Sequence, residues 1–158
     1  MVNNNREKIQ ELIEKYKGLI EVCWEGNITQ DQINKMGKSV SLANKETFQL
    51  IIPNDENTPE HGEFFINSIQ GHYCYSTSDI SVHTYHVLEG DGIFIIGGNE
   101  VPVKPGDTIT ITPKTEYTYM GRMLLVEEME PNFIEKYEHE GRKVNYDATE
   151  EKQKGAAK

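Results

Sequence analysis

From Phe48 to Glu128 the chain is cut into short apolar or alternating segments by clusters of turn-forming residues, and no stretch there has the length or period of a helix. Nine segments are predicted strands: Phe48–Ile52, Phe64–Ile69, His72–Tyr75, Ser81–Leu88, Ile93–Ile96, Val101–Val103, Thr108–Ile111, Tyr117–Met120 and Met123–Glu128. They are separated by PNDENTPEHG, STSD, EGDG, GGNE, KPGD, TPKTE and MG. Gly supplies positive φ in such turns, Pro presets its own φ, and Asn or Asp bonds back to the main chain. The run Thr108 to Thr112 alternates β-branched polar and apolar residues, as a half-buried strand does. Many short strands can bury their inward faces only against one another, which predicts an all-β sandwich or barrel.

Helical signals are confined to the amino-terminal side. In NNNREKIQELIEKYKG, Ile9, Leu12, Ile13 and Tyr16 recur at helical spacing, with asparagines to cap the start and Gly18 to end it. Thr29 and Gln32 have capping-box spacing, predicting a second helix to Met36 that stops at Gly37. Residues 1–45 are thus expected to form an arm on the barrel, and residues 46–132 the barrel itself. In the extension 133–158, Phe133, Ile134 and Tyr137 would dock one last helical turn. The final ten or so residues, charged and poor in apolar anchors, are expected to be a disordered, flexible tail. The acidic stretch from residue 53 to 63 reads as a solvated loop in preference to a lid.

At 158 residues the chain suits one core. Its formal charge of -10 argues against nucleic acid and anionic membrane as partners. No apolar run approaches a bilayer crossing and the first residues lack the apolar core of a secretory signal, so a cytoplasmic protein is expected. Cys23 and Cys74 read as free thiols rather than a disulfide framework.

Two phrases carry a resemblance. HVLEGDG, His86 to Gly92, and KPGDTITITPKTEYTY, Lys104 to Tyr119, resemble the two motifs of the cupin family, double-sheet jelly-roll barrels. Counting from these phrases, His83 falls where the family has a metal-binding Glu and Tyr117 where it has its last metal-binding His. Thr112 takes a Pro position and Lys114 a Gly position. Gly90, Gly92 and Gly106 sit at tight reversals, and Asp107 is placed to tie down its loop. For the paired histidines of the family, strict spacing gives Thr77 and Asp79, while a longer loop gives His72 and Cys74.

The resemblance therefore implies a degenerate metal site, with no cofactor favoured. If a divalent transition metal is used, His72, Cys74 and His83 are the ligand set. Strand alternation sends His83, Tyr85 and Val87 inward, and His86 and Leu88 outward, where His86 serves as a hydrogen-bonded structural group. Tyr117 and Tyr119 share an inward face, and one of Glu127 and Glu128 enters the pocket mouth. An imidazole near its ordinary pKa and a phenol opposite can exchange protons with a substrate without metal. The expectation is a small-molecule-binding cupin with His83 as base, Tyr117 as acid, and Tyr75, Tyr85, Tyr119 and Glu127 as ligand contacts. Its ligand would be a small polar metabolite, sugar-like or a carboxylate. A metal-independent sugar epimerase or isomerase of this barrel type is one reading. A metal-dependent dioxygenase, lyase or isomerase is the second, and a ligand-sensing module without turnover the third. Exposed sheet edges suggest a homodimer.

Overall fold

The computed structural model describes residues 2–36 and 40–146. The larger of two sheets runs, in spatial order, β1 (Val2–Asn4), β9 (Asp107–Ile111), β6 (Val82–Gly90), β11 (Met123–Glu130), β4 (Gly62–Ser68), β3 (Phe48–Pro53) and β2 (Val40–Asn44). The smaller runs β12 (Glu138–Lys143), β5 (Cys74–Ser78), β10 (Tyr117–Met120), β7 (Gly92–Ile96) and β8 (Asn99–Val103). Every strand pair is antiparallel. This is the jelly-roll barrel that the turn phrases imply.

The larger sheet is covered on both faces, which explains why β4 and most of β11 are buried without alternation. On its inner face Tyr85, Val87, Ile109 and Leu125 pack with Phe94, Tyr117 and Tyr119 of the smaller sheet. On its outer face Phe65, Leu88, Leu124 and Val126 pack against the amino-terminal helices α1 (Arg6–Lys15) and α2 (Lys17–Trp24) through Ile9, Leu12, Leu19 and Cys23. Gly18 does not end a helix, contrary to the sequence reading; it lies inside α2, and the break falls two residues earlier, at Tyr16. The capping box does form on α3 (Gln30–Met36): the Thr29 N–H donates to Gln32 Oε1 at 2.8 Å and the Gln32 N–H to Thr29 Oγ1 at 3.2 Å. The expected stop at Gly37 and the expected disorder of the last ten residues lie outside the described residues.

Gly90 has φ +78°, and a Cβ there would stand 2.0 Å from the Arg122 carbonyl oxygen, so only glycine closes this turn. Gly92, by contrast, has no positive φ; its lack of a side chain instead lets the Met120 carbonyl approach. Lys114, at the position the family gives to Gly, does adopt the left-handed conformation, φ 65°, with its N–H donating to the Ser78 carbonyl at 2.7 Å. The Asp107 carboxylate accepts from the Lys104 N–H at 2.9 Å and ties the loop.

Beyond the barrel the chain departs from expectation. Phe133 and Ile134 do not dock a helical turn; they are 57% and 40% exposed. A short 3-10 turn at Glu135–Tyr137 leads into β12, which pairs with β5. A run as charged as EHEGRK gives no apolar alternation to reveal a strand, because its pairing is made by the main chain.

Candidate active site

A cavity of about 640 Å³ opens between the two sheets. Alternation on β6 turns His83 and Tyr85 into it, and the β6–β11 register sets Tyr85 across from Glu127. On β10 the same parity brings Tyr117 and Tyr119 inward. Glu127 therefore faces the cavity. Its neighbour Glu128 faces the helices, where its carboxylate accepts from His86 at 2.6 Å and His61 at 2.9 Å. His86 is held on its other nitrogen by Thr108 at 2.9 Å and has no part in the cavity.

The inner groups form one network. Glu127 Oε2 accepts from His83 Nδ1 at 2.7 Å and from the Tyr85 hydroxyl at 2.8 Å. The Tyr117 hydroxyl lies 2.5 Å from that of Tyr85 and 3.2 Å from His83 Nδ1. Since Tyr85 donates to the carboxylate, Tyr117 donates to Tyr85. His83 Nε2 faces Glu138 Oε1 at 3.4 Å, close enough for an ion pair but outside hydrogen-bond alignment, and the Ser78 hydroxyl donates to the other Glu138 oxygen.

The two cavity histidines have opposite electrostatics. Burial pushes the His83 pKa down, but the hydrogen bond to Glu127 and the nearby Glu138 outweigh it and raise it to about 9. This favours the imidazolium form of His83, in which neither ring nitrogen carries a free lone pair. For His72 burial dominates and lowers the pKa, opposed by a bond to the Cys74 carbonyl. That bond, Nδ1 to oxygen at 2.7 Å, requires the proton on Nδ1 and leaves the Nε2 lone pair available. Tyr85, Tyr117 and Tyr119 are held well above the ordinary phenol range by burial first and by Glu127 second, so all three stay protonated. The Tyr119 hydroxyl is buried and has no partner among the described residues.

Tyr75, expected as a ligand contact, is turned the other way. Parity on β5 sends Cys74 inward, and Tyr75 lies under the Arg142 guanidinium, 4.1 Å from its ring. The conditional metal set His72, Cys74 and His83 is not assembled: among the described residues no three His, Cys, Asp or Glu side chains are placed to hold a metal ion. His72 Nδ1 is taken by a carbonyl, and both His83 nitrogens face carboxylates. Of the strictly spaced alternatives, Thr77 lines the cavity while Asp79 pairs with His139 at the surface.

Glu138, Phe48 and Lys45 went unread in the sequence. Phe48, His72 and Tyr73 form a stacked aromatic wall, with Phe48 and Tyr73 rings 5.8 Å apart and His72 and Tyr73 4.8 Å apart. Lys45 places its ammonium 5.2 Å from the Tyr73 ring and is the one Lys or Arg among the described cavity-lining residues. The acidic loop is not wholly solvated, since Asn54 and Asn57 form part of the cavity rim.

Among the described residues no helix is long and apolar enough to cross a membrane. Compared by sequence, the chain matches no family model and no curated protein. Compared by structure, it is similar to Pac13 of Streptomyces, a nucleoside dehydratase, at 26% identity and TM-score 0.66 over 70% of this chain and 91% of that one. Three further Pac13 structures hold uridine and carry single substitutions, of one histidine or of either of two tyrosines, at 25% identity. KdgF of Halomonas aligns at 15% identity and TM-score 0.54 over 64% of this chain and 92% of that one. An RmlC-like cupin of Shewanella frigidimarina aligns at 14% and 0.50 over 61% and 87%. The last two likenesses concern the fold alone.

Proposed function

We propose that this chain, which has the cupin fold, binds a nucleoside-like sugar and eliminates water from it by proton transfer between its own side chains. One observation carries the reading. The histidine and two tyrosines substituted in the uridine-bound Pac13 structures are spaced along their chain as His72, Tyr85 and Tyr119 are along this one, and these three share a cavity wall here. The His72 and Tyr119 rings are 5.4 Å apart, and those of Tyr119 and Tyr85 5.6 Å.

Dehydration requires a base for a C–H proton and an acid for the departing hydroxyl. The C–H is acidic enough only beside a carbonyl, so the substrate is a nucleoside whose sugar bears one. His72, neutral and with Nε2 free, takes that proton, and the electron pair forms the new C=C bond. The C–O bond on the next carbon breaks, and the hydroxyl leaves as water with the proton of Tyr119, the hydroxyl that no group among the described residues claims. The proton on His72 then restores Tyr119 through solvent. Lys45, at the His72 end of the wall, offsets charge developing on the carbonyl oxygen. The network of Tyr117, Tyr85, Glu127 and His83 fixes the deep wall, because each hydroxyl in it has one partner it must donate to. This assignment keeps proton transfer without metal but moves the base from His83 to His72 and the acid from Tyr117 to Tyr119.

Titration calorimetry with uridine, followed by NMR and mass spectrometry of a uridine oxidised on its ribose and incubated with the protein in D2O, tests the reading. Binding followed by loss of one water is expected. Deuterium uptake at carbon with no loss of water would return the site to the epimerase or isomerase reading. Failure to bind any nucleoside would refute the proposal.

A further inference from the structure

We infer that the apolar lobe of the cavity is a subsite for the flat heterocycle of the ligand and that Phe133 is the aromatic that covers it, an inference that rests on the nucleoside reading above. The lining is divided by chemistry. Every group that holds or moves a proton in the proposed reaction lies on the wall formed by His72, β6, β10 and Glu127. The remaining inner positions of β3, β4 and β11 supply Leu50, Ile52, Phe64, Ile66 and Met129, none of which has a side-chain donor or strong acceptor. Leu50 and Ile52 are only half-buried, so apolar surface stays open to the cavity. A sugar hydroxyl placed there would lose its water without a replacement partner, whereas the face of a heterocycle would not.

Phe133 stands on the rim of the same cavity and is 57% exposed, more than any other large hydrophobic side chain described. Its main chain is nevertheless fixed. Asn132 accepts the Phe133 N–H on its side-chain oxygen at 2.7 Å, donates from its side-chain nitrogen to the Thr58 carbonyl at 2.9 Å, and donates its own N–H to the Pro59 carbonyl at 3.1 Å. An aromatic ring kept in water by a pinned backbone at a cavity mouth is placed for stacking.

Two of the three amides around it are not free to read the edge of a heterocycle. Asn57 accepts from the Glu63 N–H at 2.7 Å and donates to the Pro53 carbonyl at 3.2 Å, and Asn132 is committed as described. Asn54 is the remaining rim amide, and it lies exposed in solvent. The lobe therefore holds its ligand by the face, through stacking and burial, and uracil and cytosine bind alike.

Calorimetry on the full chain with uridine, cytidine and free ribose, for the native protein, Phe133→Ala and Phe133→Tyr, tests this. Uridine and cytidine should bind the native protein within about threefold of each other. F133A should weaken both by about tenfold, F133Y should restore them, and ribose should not distinguish the variants. Uridine affinity unchanged in F133A overturns the subsite while leaving the nucleoside reading intact, as does cytidine binding more than about thirtyfold weaker than uridine. A change in the size of F133A by light scattering with unchanged affinity also overturns it, by assigning Phe133 to a contact between copies. No binding of either nucleoside by the native protein overturns both inferences together.

Discussion

Replacing Glu127 by Gln keeps the shape of the side chain and removes its charge, and it should reverse the protonation state of His83. In the native protein His83 rises from 6.5 to about 9. At about 1.36 kcal/mol per pH unit, that shift is worth roughly 3 kcal/mol in favour of the imidazolium. His83 is 5% exposed, so solvent screens little of this. With Glu127 gone, His83 keeps burial, which opposes its charge, and Glu138 at 3.4 Å without hydrogen-bond alignment. Its pKa should fall to its ordinary value or below. Following the imidazole Cε1–H resonances by NMR from about pH 5 to about pH 10, with His83→Gln to assign them, measures the change. The sign for stability follows from linkage. A pKa raised in the folded state contributes fully below the unfolded value near 6.5 and is lost as pH rises through about 9. The melting temperature of E127Q should thus lie about 10 °C below native at mildly acidic pH, with the gap closing at alkaline pH. A native His83 that titrates near 6.5, or a gap independent of pH, would refute the electrostatic account of the site.

His72→Gln should leave the melting temperature within a few degrees of native, since the side chain is half-buried, and lower turnover about 10²-fold or more. Native kcat/KM should rise through an acid limb below 6.5, where His72 loses its proton, and decline near 9 as His83 loses its own. Glu128 is held down at about 2, first by its hydrogen bond from His86. Its contribution to stability is complete above the ordinary 4.5 and is lost as pH falls towards 2, so Glu128→Gln should narrow the difference in denaturant midpoint between neutral and acidic buffer. Lys114→Gly should raise the unfolding free energy by up to about 1 kcal/mol in urea titrations, because the left-handed φ costs a side chain more than glycine loses in entropy.

The barrel was legible because its turns are specified locally. Gly90 and Asp107 do in the structure what their positions in short phrases imply, and strand parity then fixes which of His83, His86, Tyr117 and Tyr119 face inward. Parity fails where the start of a strand is unknown. Before β5 the chain makes a single bridge, Gly71 to Met120, and the regular strand begins only at Cys74. Tyr73 thereby joins the cavity wall, and Tyr75, two residues on, faces out under Arg142. Glu138 was invisible for a different reason, lying on an edge strand whose side chains are almost all polar.

Protonation was the part least accessible to sequence. His72 and His83 are the same side chain, both lining the same cavity, yet one is shifted toward the neutral form and the other toward the charged form. The difference lies in what stands opposite each. His72 meets a carbonyl two residues away, whereas His83 meets a carboxylate 44 residues along the chain and a second from the strand added after the barrel. A pattern of residue types identifies which groups share the cavity, but the roles of base and acid depend on pairings that exist only once β6, β11 and β12 have come together. In the proposed reaction the exchange of roles between His83 and His72 follows from tertiary electrostatics, and it would make β12 part of the site rather than an appendage to the barrel.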